Sequence, residues 1–273
     1  MLISAKLAPC FPYETLERFW RDCDELGFHA VWNYDHFYGL ADMAQDTLEG
    51  WTTLAAMAKV VQRARIGCMV TGVTYRHPAV LANMAVSVDH ISGGRLEFGI
   101  GAAWHEPEHS AYGLPYPSNK ERIAMLDDAL AVIRKLWTEE KANHDGPYFS
   151  LKDAMCNPKP VQEPHPPIVV GASGRKLSLR VVAKHATEWN TPGQDPPEWG
   201  ELSKVLDEHC AAVGRDPADI RRSVQLFLHP AMEGQPDEQL AKLPAYEEQG
   251  CQHAVLSFYQ PPDRALLEKC APR

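Results

Sequence analysis

The chain has 273 residues, of which 45% are hydrophobic and 23% are charged. This composition supplies apolar material for a large core and excludes a disordered chain, and one (β/α)₈ barrel of about 250 residues would use nearly the whole length. The 36 acidic and 27 basic residues give a formal charge of −9 without a local basic cluster, which disfavours nucleic-acid binding.

The cysteines and the N-terminus indicate the cellular location. The seven cysteines are scattered, odd in number and never spaced C-x-x-C, so they predict neither a disulfide framework nor a cysteine zinc site. The N-terminal MLISAKLAPC has no basic region followed by an apolar stretch, and no apolar run reaches membrane-spanning length. We therefore expect a cytoplasmic protein that associates with neither a membrane nor nucleic acid.

Short β-rich segments alternate with helical patterns along the chain. Several segments are almost continuously apolar, which is typical of strands that are covered on both faces. Eight such βα alternations fit a closed barrel better than an open sheet, so we predict the α/β class and a single (β/α)₈ TIM barrel domain over residues 1–273. The predicted strands lie near residues 2–8, 30–37, 65–73, 96–102, 167–172, 187–191, 220–229 and 253–259.

The segments between the strands have helical periodicity. Leu16, Phe19 and Cys23 lie on one stripe of the first helix. A later helix begins with Ser118 and Glu121 at the spacing of a capping box. The last helix, near residues 262–270, is short.

Residues 138–166, between the fourth and fifth strands, interrupt this alternation. They contain several prolines and no long periodic pattern. A connection of this length is often functional, so we expect an excursion at the mouth of the barrel, where it either covers a ligand or wraps the surface.

The carboxyl ends of barrel strands build the active site of this fold, so position selects the candidate residues. VVGASGRKLSLR is a strand, then Gly171-Ala172-Ser173-Gly174, then a predicted helix that begins with Arg175 and Lys176. Small residues and a helix N-terminus suit the binding of a phosphate, although an ordinary βα turn would have the same glycines.

Asp35-His36 follows an apolar strand and would place an imidazole at the mouth of the barrel. The neighbouring carboxylate would fix the tautomer of the imidazole or raise its pKa. This pair suits proton transfer coupled to hydride transfer, and the alternative is a structural histidine.

Two motifs near residue 100 are weaker. Gly99-Ile100-Gly101 fails as a dinucleotide fingerprint because Trp104 occupies the third glycine position. His105-Glu106-Pro107-Glu108-His109 matches H-E-x-x-H and opens the alternative of a zinc hydrolase that uses His105 and His109. Proline at its centre opposes that geometry unless the helix starts there, and we expect Trp104, His105 and Glu106 to line the pocket of an organic ligand.

In combination, four segments resemble the bacterial luciferase-like superfamily, and in particular its deazaflavin (coenzyme F420) dependent oxidoreductases. The resemblance runs from about residue 15 to 195. Its segments are WNYDHF, VTGVTYRHPAVLANMAVSVDHISGGRLEFGIGAAWHEPEHSAYG, CNPKPVQEPHPPIVVGASG and ATEWNT.

The resemblance implies a cofactor, a reaction and a set of site residues. It implies hydride transfer between coenzyme F420 and a small organic substrate, with the cofactor's tail phosphate at Gly171 to Arg175 and a non-prolyl cis peptide near Gly72-Val73. His36 would be the general acid or base beside Asp35, and Glu106 is a further catalytic candidate. The implied cofactor-binding residues are Thr71, Gly72, Val73, Gly101, Trp104, Gly171, Ala172, Ser173, Gly174 and Arg175.

The resemblance leaves the exact chemistry open. Trp104 stands where the sugar-oxidising deazaflavin enzymes resemble one another in having an acidic residue, which puts that reaction in doubt. The DHF and TYRHPA segments favour the deazaflavin, and the alternative is an FMN-dependent luciferase-like monooxygenase. The resemblance also implies a homodimer and leaves the substrate unidentified.

Overall fold

Parallel strands close into a barrel in a computed structural model that describes residues 1–40, 42–232 and 234–272. The first strand pairs with the last, and the third pairs with the fourth, so the cylinder has no free edge. The eight predicted strand positions are therefore confirmed. The strands are β1 Leu2–Leu7, β2 Ala30–Asn33, β3 Arg65–Cys68, β4 Thr71–Gly72, β5 Leu96–Gly101, β8 Ile168–Gly171, β9 Glu188–Pro192, β10 Arg221–Leu228 and β11 His253–Phe258.

The third barrel strand consists of two pieces, β3 and β4, separated by a non-prolyl cis peptide between Met69 and Val70. The predicted non-prolyl cis peptide is therefore present, three residues before its predicted position near Gly72-Val73. The Val70 side chain packs into the barrel, where a Cβ on Gly101 would lie 2.9 Å from its Cγ2 atom and a Cβ on Gly171 would lie 3.1 Å from it. These two positions therefore have to be glycine so that the backbones of β5 and β8 can lie next to the Val70 side chain.

Helices cover the outside of the barrel and bury an apolar shell against it. Leu16, Phe19 and Cys23 of the first helix are buried as predicted. Ser118 and Glu121 form the predicted capping box. Of the helices that the structure describes, none combines the length and apolarity needed to cross a membrane. The helices are α1 Tyr13–Glu25, α2 Gly50–Val60, α3 Pro78–Ser92, α4 Glu106–Tyr112, α5 Asn119–Thr138, α6 Ser178–His185, α7 Pro196–Val213, α8 Gln235–Leu240, α9 Leu243–Glu248 and α10 Arg264–Cys270.

Charged side chains close the amino-terminal end of the barrel. Glu97 accepts a hydrogen bond of 2.8 Å from Arg65, and Glu188 accepts bonds of 3.0 Å from Arg221 and 2.8 Å from His253. These residues stand at the first or second positions of their strands. Because this end is filled, a ligand has to enter from the carboxyl ends of the strands.

The excursion at residues 138–166 lies on the outer side of the barrel, so its predicted position at the mouth is wrong, and of the two alternatives it wraps the surface. It forms an antiparallel hairpin of β6 Ala142–Asp145 and β7 Ser150–Ala154. Asp128 in the middle of α5 fastens the hairpin, because its carboxylate accepts hydrogen bonds of 3.0 and 2.9 Å from the amide N–H groups of Tyr148 and Phe149. The segment then returns beneath the barrel, where Asp89 accepts the amide of Val161 at 2.8 Å. Two helix carboxylates thus hold the segment against the outer helices.

Candidate active site

A cavity of about 590 Å³ opens at the carboxyl ends of the strands. Its walls are mostly apolar, and its rim carries the exposed aromatic side chains of Trp104 and Tyr259. A partly apolar cavity with a few polar groups is the usual form of a site for a cofactor and a small substrate. The residues of the predicted site that line it are His36, Gly72, Gly101, Trp104, Gly171, Ala172, Ser173 and Gly174.

The imidazole of His36 lies in this cavity and is held by Glu108. Its Nδ1 atom is 2.9 Å from Oε2 of Glu108. Because an ionised carboxylate only accepts hydrogen bonds, Nδ1 carries the proton, and Nε2 is left for a bound molecule. The ring of Trp104 lies beside His36, with 5.7 Å between the ring centroids. The arrangement is an oriented imidazole next to an aromatic surface.

Glu108 is fully buried and stays ionised. Burial alone would raise the pKa of this carboxyl, but hydrogen bonds from His36, from the Tyr75 hydroxyl at 2.6 Å and from the amide of Phe37 at 2.7 Å outweigh burial and lower the pKa to about 2. Burial and the Glu108 carboxylate together raise the pKa of the Tyr75 phenol, so this hydroxyl remains a donor. The carboxylate therefore keeps its charge and its partners across the physiological pH range.

Asp35 does not contact His36, and the predicted pairing of the two is wrong. Its carboxylate forms a two-point ion pair with Arg76, with distances of 2.5 and 3.0 Å. Consecutive residues at a strand end point to opposite sides of the backbone, so Asp35 faces the helices while His36 faces the cavity. Asp35 anchors the rim without lining the cavity.

The predicted role of Glu106 also disagrees with the structure, because its side chain is exposed and does not line the cavity. Helix α4 begins at Glu106 with Pro107 in its first turn, which removes the objection to a helical H-E-x-x-H segment. The two buried residues of this helix are Glu108 and His109. The helical register therefore turns Glu108 toward the cavity and leaves Glu106 in solvent.

The zinc pair of the alternative hypothesis, His105 and His109, does not form. The Nε2 atom of His109 is 2.6 Å from the Thr74 hydroxyl, and its Nδ1 atom is 2.9 Å from the carbonyl of His105, so both ring nitrogens are occupied. Among the described residues, the group with ligand atoms close enough for a metal ion is His36, His105 and Glu108, whose atoms lie within 4.8 Å of one another.

The turn after β8 has free backbone donors, although fewer than predicted. Helix α6 starts at Ser178, three residues later than the predicted start, and the amides of Ala172 and Gly174 donate to Asn190 and to the Ser178 hydroxyl at 3.0 and 2.9 Å. Within the described part of the chain, several amides of this exposed turn have no acceptor, among them those of Ser173, Arg175 and Lys176. Free N–H groups near a helix start are a suitable anion site.

Three residues of the predicted cofactor set lie outside the cavity wall. The Thr71 hydroxyl is buried and accepts a bond of 2.7 Å from the indole of Trp51. Val73 packs in the hydrophobic core. Arg175 is exposed and does not line the cavity wall.

Sequence reasoning missed several polar residues of the cavity region, among them Glu108, which holds His36, and Lys6, Tyr75 and Gln225, which line the wall. Lys6 could have been found from strand alternation, because every second residue of β1 faces the barrel axis. Glu108 could have been found from the register of α4 once its start at Glu106 is assumed.

Comparisons with known proteins agree with this geometry. A family model described as luciferase-like monooxygenase matches residues 3–264. An uncharacterized protein of Mycobacterium tuberculosis is 32% identical over 220 residues, which cover 76% of each chain. An F420-dependent glucose-6-phosphate dehydrogenase of Amycolatopsis mediterranei is 32% identical over 212 residues, which cover 75% of this chain and 62% of the relative.

Solved structures with the same fold cover nearly the whole chain. An F420-dependent secondary alcohol dehydrogenase, solved in complex with an F420-acetone adduct, has a TM-score of 0.87 at 16% identity and covers 100% of this chain and 99% of its own. The coenzyme F420 dependent tetrahydromethanopterin reductase from Methanopyrus kandleri has a TM-score of 0.84 at 16% identity and covers 98% of this chain and 96% of its own. These two likenesses concern the fold, while the family model and the relatives concern descent. The chain belongs to the luciferase-like monooxygenase family.

Proposed function

We propose that the chain is a coenzyme F420-dependent oxidoreductase that transfers a hydride between the deazaflavin and a small organic substrate. One observation carries the proposal: an imidazole oriented by a buried, ionised carboxylate shares a cavity with a turn that has free backbone amides. Curated relatives of this chain include F420-dependent glucose-6-phosphate dehydrogenases and an F420-dependent hydroxymycolic acid dehydrogenase of Mycobacterium tuberculosis.

The cavity fits a phosphate-bearing ring cofactor. The free amides of Ser173, Arg175 and Lys176 would hold the tail phosphate. Bound F420 supplies a ring carbon that accepts or donates a hydride. The walls exclude water from the reacting atoms.

The chain's own part in the reaction is proton transfer. Nε2 of His36 takes the proton of an alcohol substrate as the hydride leaves it, or returns the proton in the reverse direction. Glu108 fixes the tautomer and stabilises the imidazolium that forms, and it acts as a positioning residue. In this proposal Asp35 and Glu106 have no chemical role.

A second candidate, an FMN-dependent monooxygenase, is favoured by two observations. The description of the matching family is that of a monooxygenase, and monooxygenase RslO1 from Streptomyces bottropensis has the same fold with a TM-score of 0.80 at 21% identity, covering 99% of this chain and 96% of its own. A phosphate site and an aromatic rim suit FMN as well, so a direct comparison of the two cofactors is needed.

Fluorescence titration of the purified apoprotein with F420 and with FMN separates these candidates. We expect F420 to bind at least about tenfold more tightly than FMN. Binding of FMN alone would favour the monooxygenase, and failure of both cofactors to bind would refute the two candidates together. Location in the cytoplasm, assembly as a homodimer and the lack of nucleic-acid and membrane partners stay predictions.

His36→Ala tests the chemical step in the F420-loaded enzyme. We expect F420 affinity to stay within about threefold, while kcat falls by about 10² or more because the proton acceptor is lost. Single-turnover reduction of bound F420 across a panel of secondary alcohols measures the rate. An unchanged rate with every accepted alcohol would remove His36 from the mechanism.

A further inference from the structure

Lys6 is a buried cation without a carboxylate partner. It stands on β1, its side chain lines the cavity, and only 7% of the residue is exposed. Its ammonium donates to Oε1 of Gln225 at 3.3 Å and lies 5.8 Å from the centroid of the Tyr34 ring. No ion pair of Lys6 occurs in the part of the chain that the structure describes. A charge buried in this way is unfavourable unless a ligand compensates it.

The groups around Lys6 do not supply that compensation. The titratable groups facing it are Tyr34 on the β2 side and Cys68 on β3, and burial raises the pKa of both, so both are neutral at neutral pH. Gln225 on β10 and Ser257 on β11 are polar but uncharged. Among the described lining residues of the cavity there is no Asp or Glu, and His36 is the other titratable base. The charge of Lys6 is therefore directed into the cavity.

Lys6 lies across the barrel from the phosphate-binding turn. The strands follow one another around the cylinder, so that β8, which leads into residues 171–174, is fifth and β1 is first. In a barrel of eight strand positions the first and the fifth face each other. A ring whose tail phosphate is held at the turn therefore extends across the cavity toward Lys6.

We propose that Lys6 stabilises the negative charge that the bound ring gains when it accepts a hydride, and thereby sets the preference of the protein for the reduced cofactor. This inference rests on the proposed function. Lys6 is a positioning and electrostatic residue that does not exchange a proton with the substrate.

The charge balance of the transfer supports this role. A hydride brings two electrons and one proton, so the ring that accepts it gains one unit of negative charge unless a second proton follows. The proton of the substrate alcohol goes to His36 and not to the ring. The imidazolium of His36 is paired with Glu108, so within the described wall Lys6 is the cation without an anionic partner that can offset the remaining charge on the ring.

Affinities for the two redox forms of F420 test the inference in the full chain without turnover. Oxidised F420 is titrated by fluorescence, and the reduced form is titrated anaerobically by calorimetry. Lys6→Met keeps the length of the side chain and removes its charge. We expect this substitution to weaken the binding of reduced F420 by about tenfold more than the binding of oxidised F420. This difference corresponds to a fall of about 30 mV in the reduction potential of the bound cofactor. Lys204→Met, at an exposed lysine, is the matched control and should change neither affinity.

The pH dependence of the wild type gives a second measurement that needs no variant. Burial lowers the pKa of Lys6 to about 8, and a bound anion would raise it again. The charge is present below this pKa and is lost as the pH rises through it. The preference of the wild type for reduced F420 should therefore decline as the pH rises above about 8.

The outcomes distinguish the inference from the proposed function. If the wild type binds neither form of F420, the proposed function fails. If the wild type binds F420 but Lys6→Met retains the wild-type ratio of affinities, or weakens both forms equally, the inference is overturned and the proposed function stands. Should Lys6→Met lose its cooperative thermal transition, Lys6→Gln replaces it, and a wild-type ratio that does not change between about pH 7 and 10 would overturn the inference by itself.

Discussion

The carboxylate that orients His36 comes from a residue 72 positions further along the chain. Asp35, next to His36 in sequence, is separated from it in space because the strand end turns the two side chains apart. Glu108 reaches His36 because α4 begins at Glu106 and places its third residue inward. Sequence adjacency at the end of a strand is therefore a poor guide to contact, whereas helical register is informative once the helix start is known.

Glu108→Gln tests this assignment, with Glu106→Gln as its matched control on the same helix. The amide at position 108 places an N–H₂ group against the donors that now bind the carboxylate, so the tautomer of His36 is no longer fixed. We expect kcat to fall by about tenfold to a hundredfold with little change in F420 affinity. Steady-state kinetics over pH 6 to 9 provide the measurement.

Glu106→Gln should retain the wild-type rate within about twofold, since its side chain is exposed and lies outside the cavity wall. The opposite pattern, with a large loss on changing Glu106 and none on changing Glu108, would restore the role that the sequence indicates for Glu106.

Most of the residues that the sequence places correctly at the cavity are defined by backbone geometry. Gly72, Gly101 and the 171–174 turn line the cavity because the carboxyl ends of barrel strands meet at one end of the fold. The free amides were harder to locate, since the start of α6 decides which N–H groups remain available. Strand alternation could have placed Lys6 inside the barrel, but the sequence alone does not show that its ammonium lacks a carboxylate partner.

At the scale of the elements, the capping box of α5 is a local feature that the sequence predicts and the structure confirms. The Ser118 hydroxyl accepts the amide of Glu121 at 3.3 Å, and the Glu121 carboxylate accepts the amide of Ser118 at 2.9 Å. Such contacts depend only on residues three apart, which is why a sequence pattern reveals them.

Ser118→Ala should lower the free energy of unfolding by about 1 kcal/mol, because one helix amide loses its acceptor. Urea denaturation followed by circular dichroism measures the change. Ser110→Ala, at an exposed position within α4, is the comparison and should alter the free energy by less than about 0.5 kcal/mol. Equal effects of the two substitutions would show that the cap has no special contribution.

The 138–166 excursion marks the limit of prediction at this scale. Its prolines and its length indicate a functional loop, yet Asp128 and Asp89 fasten it to the outer helices. The hydrogen bonds of these two carboxylates to the segment join residues that are distant along the chain, so no local sequence pattern predicts them. The position of the segment therefore follows from tertiary contacts alone.

At the scale of the whole molecule, the alternation of apolar strands and amphipathic helices was sufficient to predict a closed barrel. Every predicted strand position is occupied, although the third is broken at the cis peptide. The charged closure of the amino-terminal end was not predicted, because each of its residues is an ordinary charged position near the start of a strand.

Because the buried carboxylate of Glu108 is ionised, the stability of the fold should depend on pH. Its pKa is lowered from 4.5 in the unfolded chain to about 2 in the folded chain. The ionised carboxylate therefore adds to the free energy of unfolding at pH values above 4.5, and this contribution is lost as the pH falls toward 2. This shift corresponds to about 3 kcal/mol. Urea denaturation between about pH 5 and pH 2 should show the stability advantage of the wild type over Glu108→Gln shrinking by an amount of that order. A constant difference over this range would contradict the ionised state of Glu108.

A structure of the chain determined with F420 bound tests the central claim most directly. We predict the tail phosphate within hydrogen-bonding distance of the amides of Ser173, Arg175 and Lys176, and one face of the ring turned toward Nε2 of His36. A ligand bound outside the carboxyl-terminal cavity, or a ring whose open face points away from His36, would contradict the account.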